Sequence, residues 1–83
     1  MLLVKSIDHL KELAYRENGD FIHFEVRYPL FKIGRRIQYN KEEDLFSIIN
    51  EMDESYYEST TADLTKKTLI PKAINKEGFW YCE

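Results

Sequence analysis

The chain begins with an alternation that changes period. Ile7, Leu10, Leu13 and Ala14 recur at spacings of three and four, one apolar stripe of an amphipathic helix over Ser6–Arg16. Ser6 is a good N-cap because its hydroxyl accepts from a first-turn N–H, and Asp8 suits the positive end of that helix. Asn18-Gly19 supplies the stop. From Phe21 to Tyr28 the period drops to two. Ile22, Phe24, Val26 and Tyr28 fall on one side and His23, Glu25 and Arg27 on the other, as in a half-buried strand that Pro29 ends. Ile33–Tyr39 is a second strand, with Gly34 as an expected bend or bulge, and Leu45–Asn50 is a third. The polar run Asn40–Asp44 between them reads as a five-residue hairpin connection.

Beyond Glu51 the pattern loosens. Asp53-Glu54-Ser55 leaves the sheet, and Tyr56-Tyr57 either extends a strand or anchors a loop. Thr60 or Thr61 caps a short helix reaching Thr65 or Lys67, with Asp63 in its first turn. Pro71–Lys76 is a further short helix closed by Gly78. Phe79–Cys82 is a last strand, too aromatic to be left in solvent. The expected fold is α+β: a mainly antiparallel, three- to four-stranded sheet, the N-terminal helix on one face, one or two short C-terminal helices. The helix stripe covers the Ile22/Phe24/Val26 face, and the last strand joins the sheet at an edge the pattern does not assign.

Composition narrows the classes of function. The 83 residues make one domain, 1–83, and the apolar fraction of 43% is too high for a disordered chain. One Cys forms no internal disulfide, and one Cys with two His makes no Cys/His zinc site. The lone thiol, with no membrane span or signal peptide in view, suits a cytoplasmic protein with no membrane association. Cys82 reads as a buried terminal thiol, and His9 and His23 read as surface or rim residues. Glu42-Glu43-Asp44 and the Glu51–Glu54 acids lack calcium-loop spacing, and the three glycines stand apart, so no phosphate loop is present. No catalytic constellation, cofactor or metal is expected, and the chain reads as no enzyme.

Charge layout is more informative. The formal charge of -3 conceals a segment, residues 41–63, with eight acids and one lysine, flanked by segments that are each net +2. The expected interaction surface is Arg27, Lys32, Arg35 and Arg36 on or beside the strands, set against Glu51, Asp53 and Glu54. Three readings stay open. The first is a small accessory protein that binds another protein. The second is nucleic-acid binding through the basic sheet residues. The third is an acidic mimic or inhibitor of a nucleic-acid-binding protein, using Glu42 to Glu58. Exposed aromatics for base stacking are scarce, because Phe24, Tyr28 and Tyr39 alternate with the apolar face.

Residues 34–78 carry a further pattern. A Gly and basic pair open a strand (Gly34-Arg35-Arg36-Ile37-Gln38-Tyr39), and a second strand runs into an Asn-Glu-hydrophobic-Asp motif (Phe46 to Asp53). Then come Leu64-Thr65 and the Ile-x-x-Ala-Ile stretch Ile70–Ile74, closed by Gly78. This resembles a group of small uncharacterised bacterial and phage-associated proteins. Pro71 and the Tyr56-Tyr57 pair depart from its pattern. The resemblance implies a compact α+β unit of bacterial type, with no activity and no catalytic residue to carry over.

Overall fold

The computed structural model describes residues 2–27, 30–66 and 79–82. Among the described residues the elements are β1 (Leu2–Leu3), α1 (Ile7–Ala14), β2 (Ile22–Arg27), β3 (Lys32–Asn40), β4 (Leu45–Asn50), β5 (Tyr56–Thr60), α2 (Thr61–Lys66) and β6 (Phe79–Cys82). The expected α+β architecture is what forms. Strands β2 to β5 make an antiparallel meander, and β6 and β1 extend it beyond β2 into a six-stranded sheet of order β1-β6-β2-β3-β4-β5. Every pairing is antiparallel. The C-terminal strand therefore sits inside the sheet, closed off by a two-residue strand from the other end of the chain.

The Ser6 hydroxyl accepts from the His9 N–H at 3.0 Å, and His9 Nδ1 accepts from the Lys5 N–H at 3.0 Å, so the first turn is capped from both directions. The helix ends at Ala14, earlier than the pattern suggests, because Tyr15 turns extended (φ -82°, ψ 130°). Arg16 then reaches back to the carbonyls of Leu13 and Tyr15, at 3.1 and 2.7 Å. Gly19, at φ 79°, closes the next turn through its N–H to the Arg16 carbonyl and does not end the helix.

The core lies between the helices and one face of the sheet. Leu10 and Ala14 from α1 and Leu64 from α2 join Phe24, Val26, Ile37, Tyr39, Phe46, Ile48, Val4 and Cys82 in a single buried cluster. Ile7, Leu13 and Ile22 pack against it half-buried, as the expected stripe-on-sheet packing requires. Fully burying Phe24 or Phe46 contributes about 1.5–3 kcal/mol each.

Two strand expectations change, and one open reading is settled. The β3–β4 connection is four residues, since β3 runs to Asn40; its tight form follows from the Asn40 carboxamide oxygen accepting the N–H groups of Glu42 and Glu43. Tyr56-Tyr57 extends a strand, β5. Gly34 makes no bulge: it pairs in regular register with Glu25 within an unbroken β2–β3 ladder, and the β3–β4 ladder begins at the next residue, Arg35. Thr60 is the α2 cap, its hydroxyl accepting from the Asp63 N–H at 3.2 Å. The reading of Tyr28-Pro29 as a strand end and of Pro71–Lys76 as a helix falls outside the described residues.

Candidate interaction surface

Directly paired residues in an antiparallel sheet share a face. The register therefore assigns His23, Glu25 and Arg27 of β2, and Lys32, Gly34, Arg36 and Gln38 of β3, to the face away from the helices. Ser47 and Ile49 of β4 and Tyr56 and Glu58 of β5 continue it. Among the described residues, no helix covers this face, since α1 and α2 both send their buried residues to the other side.

At its centre two carboxylates gather the cations. Glu25, with a side chain only 10% exposed, accepts from Arg27 Nε at 2.9 Å and lies 3.8 Å from both Lys32 Nζ and His23 Nε2. The Arg27 guanidinium, then Lys32 and His23, hold its carboxyl below the usual glutamate value against the opposing effect of desolvation. Glu51, just past the end of β4, lies 3.0 Å from His23 Nδ1 and 3.7 Å from Arg36 Nε. Its N–H donates to the Gly34 carbonyl at 3.1 Å. Gly34 is the reason the carboxylate fits: a Cβ there would collide with the Glu51 carboxylate and touch the His23 ring. The glycine thus serves close approach within a regular strand, in place of the expected bend.

Of the seven surface residues expected from sequence, Arg27, Lys32, Arg36 and Glu51 come together here. Arg35 does not. It pairs with Phe24 and Asn50, which turns it to the helix side, half-buried. Adjacent strand residues point to opposite faces, so Arg35 and Arg36 never share one. Asp53 and Glu54 lie in the exposed β4–β5 turn. Asp53 accepts the Ser55 hydroxyl at 2.7 Å and the Ser55 N–H at 3.0 Å, and those two bonds, the hydroxyl first, lower its carboxyl. Glu25 is absent from the expected surface although the His23-Glu25-Arg27 alternation on β2 signals it.

The connections at one end of the sheet expose large apolar side chains. The β2–β3 and β4–β5 hairpins point the same way, and there Leu30 is 94% exposed, Met52 80%, Phe31 58% and Tyr56 54%. The opposite end has a cleft of about 340 Å³ lined by Lys11, Glu12, Tyr15, Tyr39 and Lys41. Its cations are engaged: Lys11 lies 3.2 Å from Asp44 and 5.5 Å over the Tyr39 ring, and Lys41 sits 4.6 Å over Tyr15.

Asp44 organises that end. Its carboxylate accepts Tyr39 OH at 2.6 Å and Thr61 Oγ1 at 2.8 Å, besides the Lys11 ammonium. Those three partners, Tyr39 first, lower the Asp44 carboxyl. Burial and the Asp44 bond raise the Tyr39 phenol; for Lys11, burial works downward, and the Asp44 and Tyr39 partners outweigh it to raise the ammonium. Cys82 is buried on the helix side, with its strand partner Phe24, whereas His23 is on the other side, so these two do not form a thiol–imidazole pair. Among the described residues no group of His, Cys, Asp and Glu is arranged to hold a metal ion, and no helix is long and apolar enough to cross a membrane.

No family model, curated protein or solved structure matches the chain, so the resemblance noted over residues 34–78 attaches no family to it.

Proposed function

We propose that this is a non-enzymatic binding domain that docks another protein at the hairpin end of its sheet. One observation carries the reading: Leu30, Phe31, Met52 and Tyr56 stand exposed on two hairpins that leave the sheet in the same direction. Large apolar side chains grouped at one end and rimmed by charge are the composition of a protein interface, with the apolar groups as anchors and the charges setting orientation. The rim is at hand in Arg27 and Lys32 on one hairpin and Asp53 and Glu54 on the other.

The open face gives less support to nucleic-acid binding. Phosphate binding draws on surplus cations. Here Arg27, Lys32 and Arg36 are set against Glu25 and Glu51 within the face itself.

The test is position-specific photo-crosslinking in the native cell extract. A crosslinker at Met52 is expected to give a discrete protein adduct, and one at Glu17, at the other end of the fold, is expected to give none. Leu30→Ser with Phe31→Ser should abolish the adduct while the circular dichroism spectrum is unchanged. Equal adducts from both positions, or an adduct that nuclease removes, overturns the proposal.

A further inference from the structure

Among the described residues strand β5 pairs only with β4, so its other side is a sheet edge there. The Asn50 N–H donates to the Ser55 carbonyl at 2.9 Å, which sets the phase of the hairpin. Backbone groups alternate sides along an antiparallel strand. Tyr57 and Ser59 thus turn their N–H and C=O groups to β4, and Tyr56 and Glu58 turn theirs outward, while the Thr60 carbonyl accepts the Ser59 hydroxyl at the start of α2. The edge is regular for five residues, Tyr56–Thr60, with no proline, lysine or bulge. Those are the usual devices that stop an edge from accepting another strand. The far edge, β1, has the protection of being two residues long. Helix α2 does not run along the β5 edge. Thr61 bonds to Asp44 and Leu64 enters the core, which takes the chain under the helix side of the sheet. The Tyr56 hydroxyl lies 3.4 Å from Ser47 Oγ, so that ring leans back over the sheet and, among the described residues, leaves the edge uncovered.

Charge selects the occupant. Glu58 sits at the middle of the edge, Asp53 and Glu54 at one end and Asp63 at the other, and all four are exposed. A second copy added antiparallel about Glu58 would set Glu58 against its own counterpart, a like-charge cross-strand pair that disfavours self-association.

We infer that β5 accepts, by strand addition, an extended basic segment of a partner protein, with a Lys or Arg opposite Glu58. This rests on the protein-binding reading and names the partner's chemistry: main-chain hydrogen bonds to Tyr56 and Glu58 hold the segment, and the acids select it.

The probe is an eight-residue alternating Lys–Val peptide, compared with its Glu–Val counterpart and with a Lys–Val peptide carrying proline at alternate positions. In the free protein the amides of Tyr56 and Glu58 should exchange fast. Adding the Lys–Val peptide should slow them and shift their resonances, and the two control peptides should do neither. Glu58→Lys should keep the fold and weaken binding about fivefold, the effect of replacing an opposite-charge pair with a like-charge one. Slow exchange of these amides before any peptide is added shows a covered edge and overturns the inference. So does protection that rises with protein concentration, which identifies a second copy, and so does equal binding of all three peptides. If the Met52 crosslink forms and the peptide leaves β5 untouched, only this inference fails. If the peptide binds and the crosslink is absent, the hairpin-end reading fails and the edge stands.

Discussion

On the helix side of the molecule a single carboxylate, Asp44, is approached by Lys11 from α1, Tyr39 from β3 and Thr61 from the start of α2. On the open side two carboxylates, Glu25 and Glu51, are approached, among the described residues, by side chains of β2 and β3. The chemistry is similar and the architectural consequence is not. Asp44 connects segments that no strand ladder joins, so its bonds hold the helices to the sheet. Glu25 and Glu51 connect strands already held by backbone hydrogen bonds, so their bonds shape the surface potential more than the fold. This predicts that perturbations on the helix side unfold the protein, and that perturbations on the open side change what it binds.

The largest effect belongs to the core beneath the helices. Phe46→Ala empties a fully buried site beside the Tyr39 ring, 4.8 Å away between centroids. A loss of about 3–5 kcal/mol in urea unfolding is expected. A loss no larger than that of an open-face variant would break the comparison at once. Asp44→Ala comes next. It removes three partners' bonds at once and places alanine at φ 50°, a left-handed conformation that Asp tolerates better. It should lower the unfolding midpoint more than Glu25→Ala or Glu51→Ala does. Tyr39→Phe, which deletes only one of those bonds, should cost about 1 kcal/mol.

Titration should expose the same contrast. The Asp44 carboxyl is depressed in the folded protein, so its contribution is present above the unfolded value near 3.8 and is lost as pH falls through the lower folded value. The Tyr39 phenol and Lys11 ammonium are raised, so their contributions are complete below their ordinary values of 10.0 and 10.5 and are lost as pH rises through the folded ones. Stability should therefore fall below about pH 4 and again above about pH 10. In Asp44→Asn the alkaline fall should become smaller, because both raised groups lose a carboxylate that helps to raise them. An alkaline fall of unchanged size would remove Asp44 from its place at the centre of that cluster.

A smaller effect on stability, with a larger one on binding, is expected on the open face. Glu25→Gln combined with Glu51→Gln removes the two carboxylates that approach Arg27, Lys32 and Arg36. The double variant should remain folded and acquire salt-sensitive binding to a single-stranded polyanion that the parent lacks. Equal polyanion binding by parent and variant would show that the internal pairing does not govern the face.

The same contrast explains what was legible in the sequence. The His23-Glu25-Arg27 alternation exposes the open face directly, and the Ile7/Leu10/Leu13/Ala14 stripe exposes the covered one, because period alone decides both. Arg35 is assigned to the wrong company only when neighbours in sequence are treated as neighbours in space. The position of β6 between β1 and β2 is a long-range pairing that no local pattern encodes, and Leu2-Leu3 is too short to read as a strand. Asp44 looks like an ordinary turn residue beside Glu42 and Glu43. Its three partners lie 33 residues or fewer away along the chain but on different elements, and only the tertiary fold assembles them.

Gly34→Ala makes the smallest change and the sharpest discrimination. Two effects oppose one another. Alanine in a strand interior is favoured over glycine by about 0.5–1 kcal/mol, and the new Cβ meets the Glu51 carboxylate. That carboxylate is the far end of a side chain one-third exposed to solvent, so it swings out and the backbone stays in place. Net stability should hold within about 1 kcal/mol of the parent. The His23 imidazole should nevertheless lose its Glu51 partner, seen as a change in its ring nitrogen resonances. Adding Glu51→Ala to Gly34→Ala should then cost nothing further, whereas Glu51→Ala alone should produce the same His23 change. A large loss of stability in Gly34→Ala, or additive costs in the double variant, would mean that the open-face pairing holds the sheet together as Asp44 holds the helices, and the contrast between the two sides would fall.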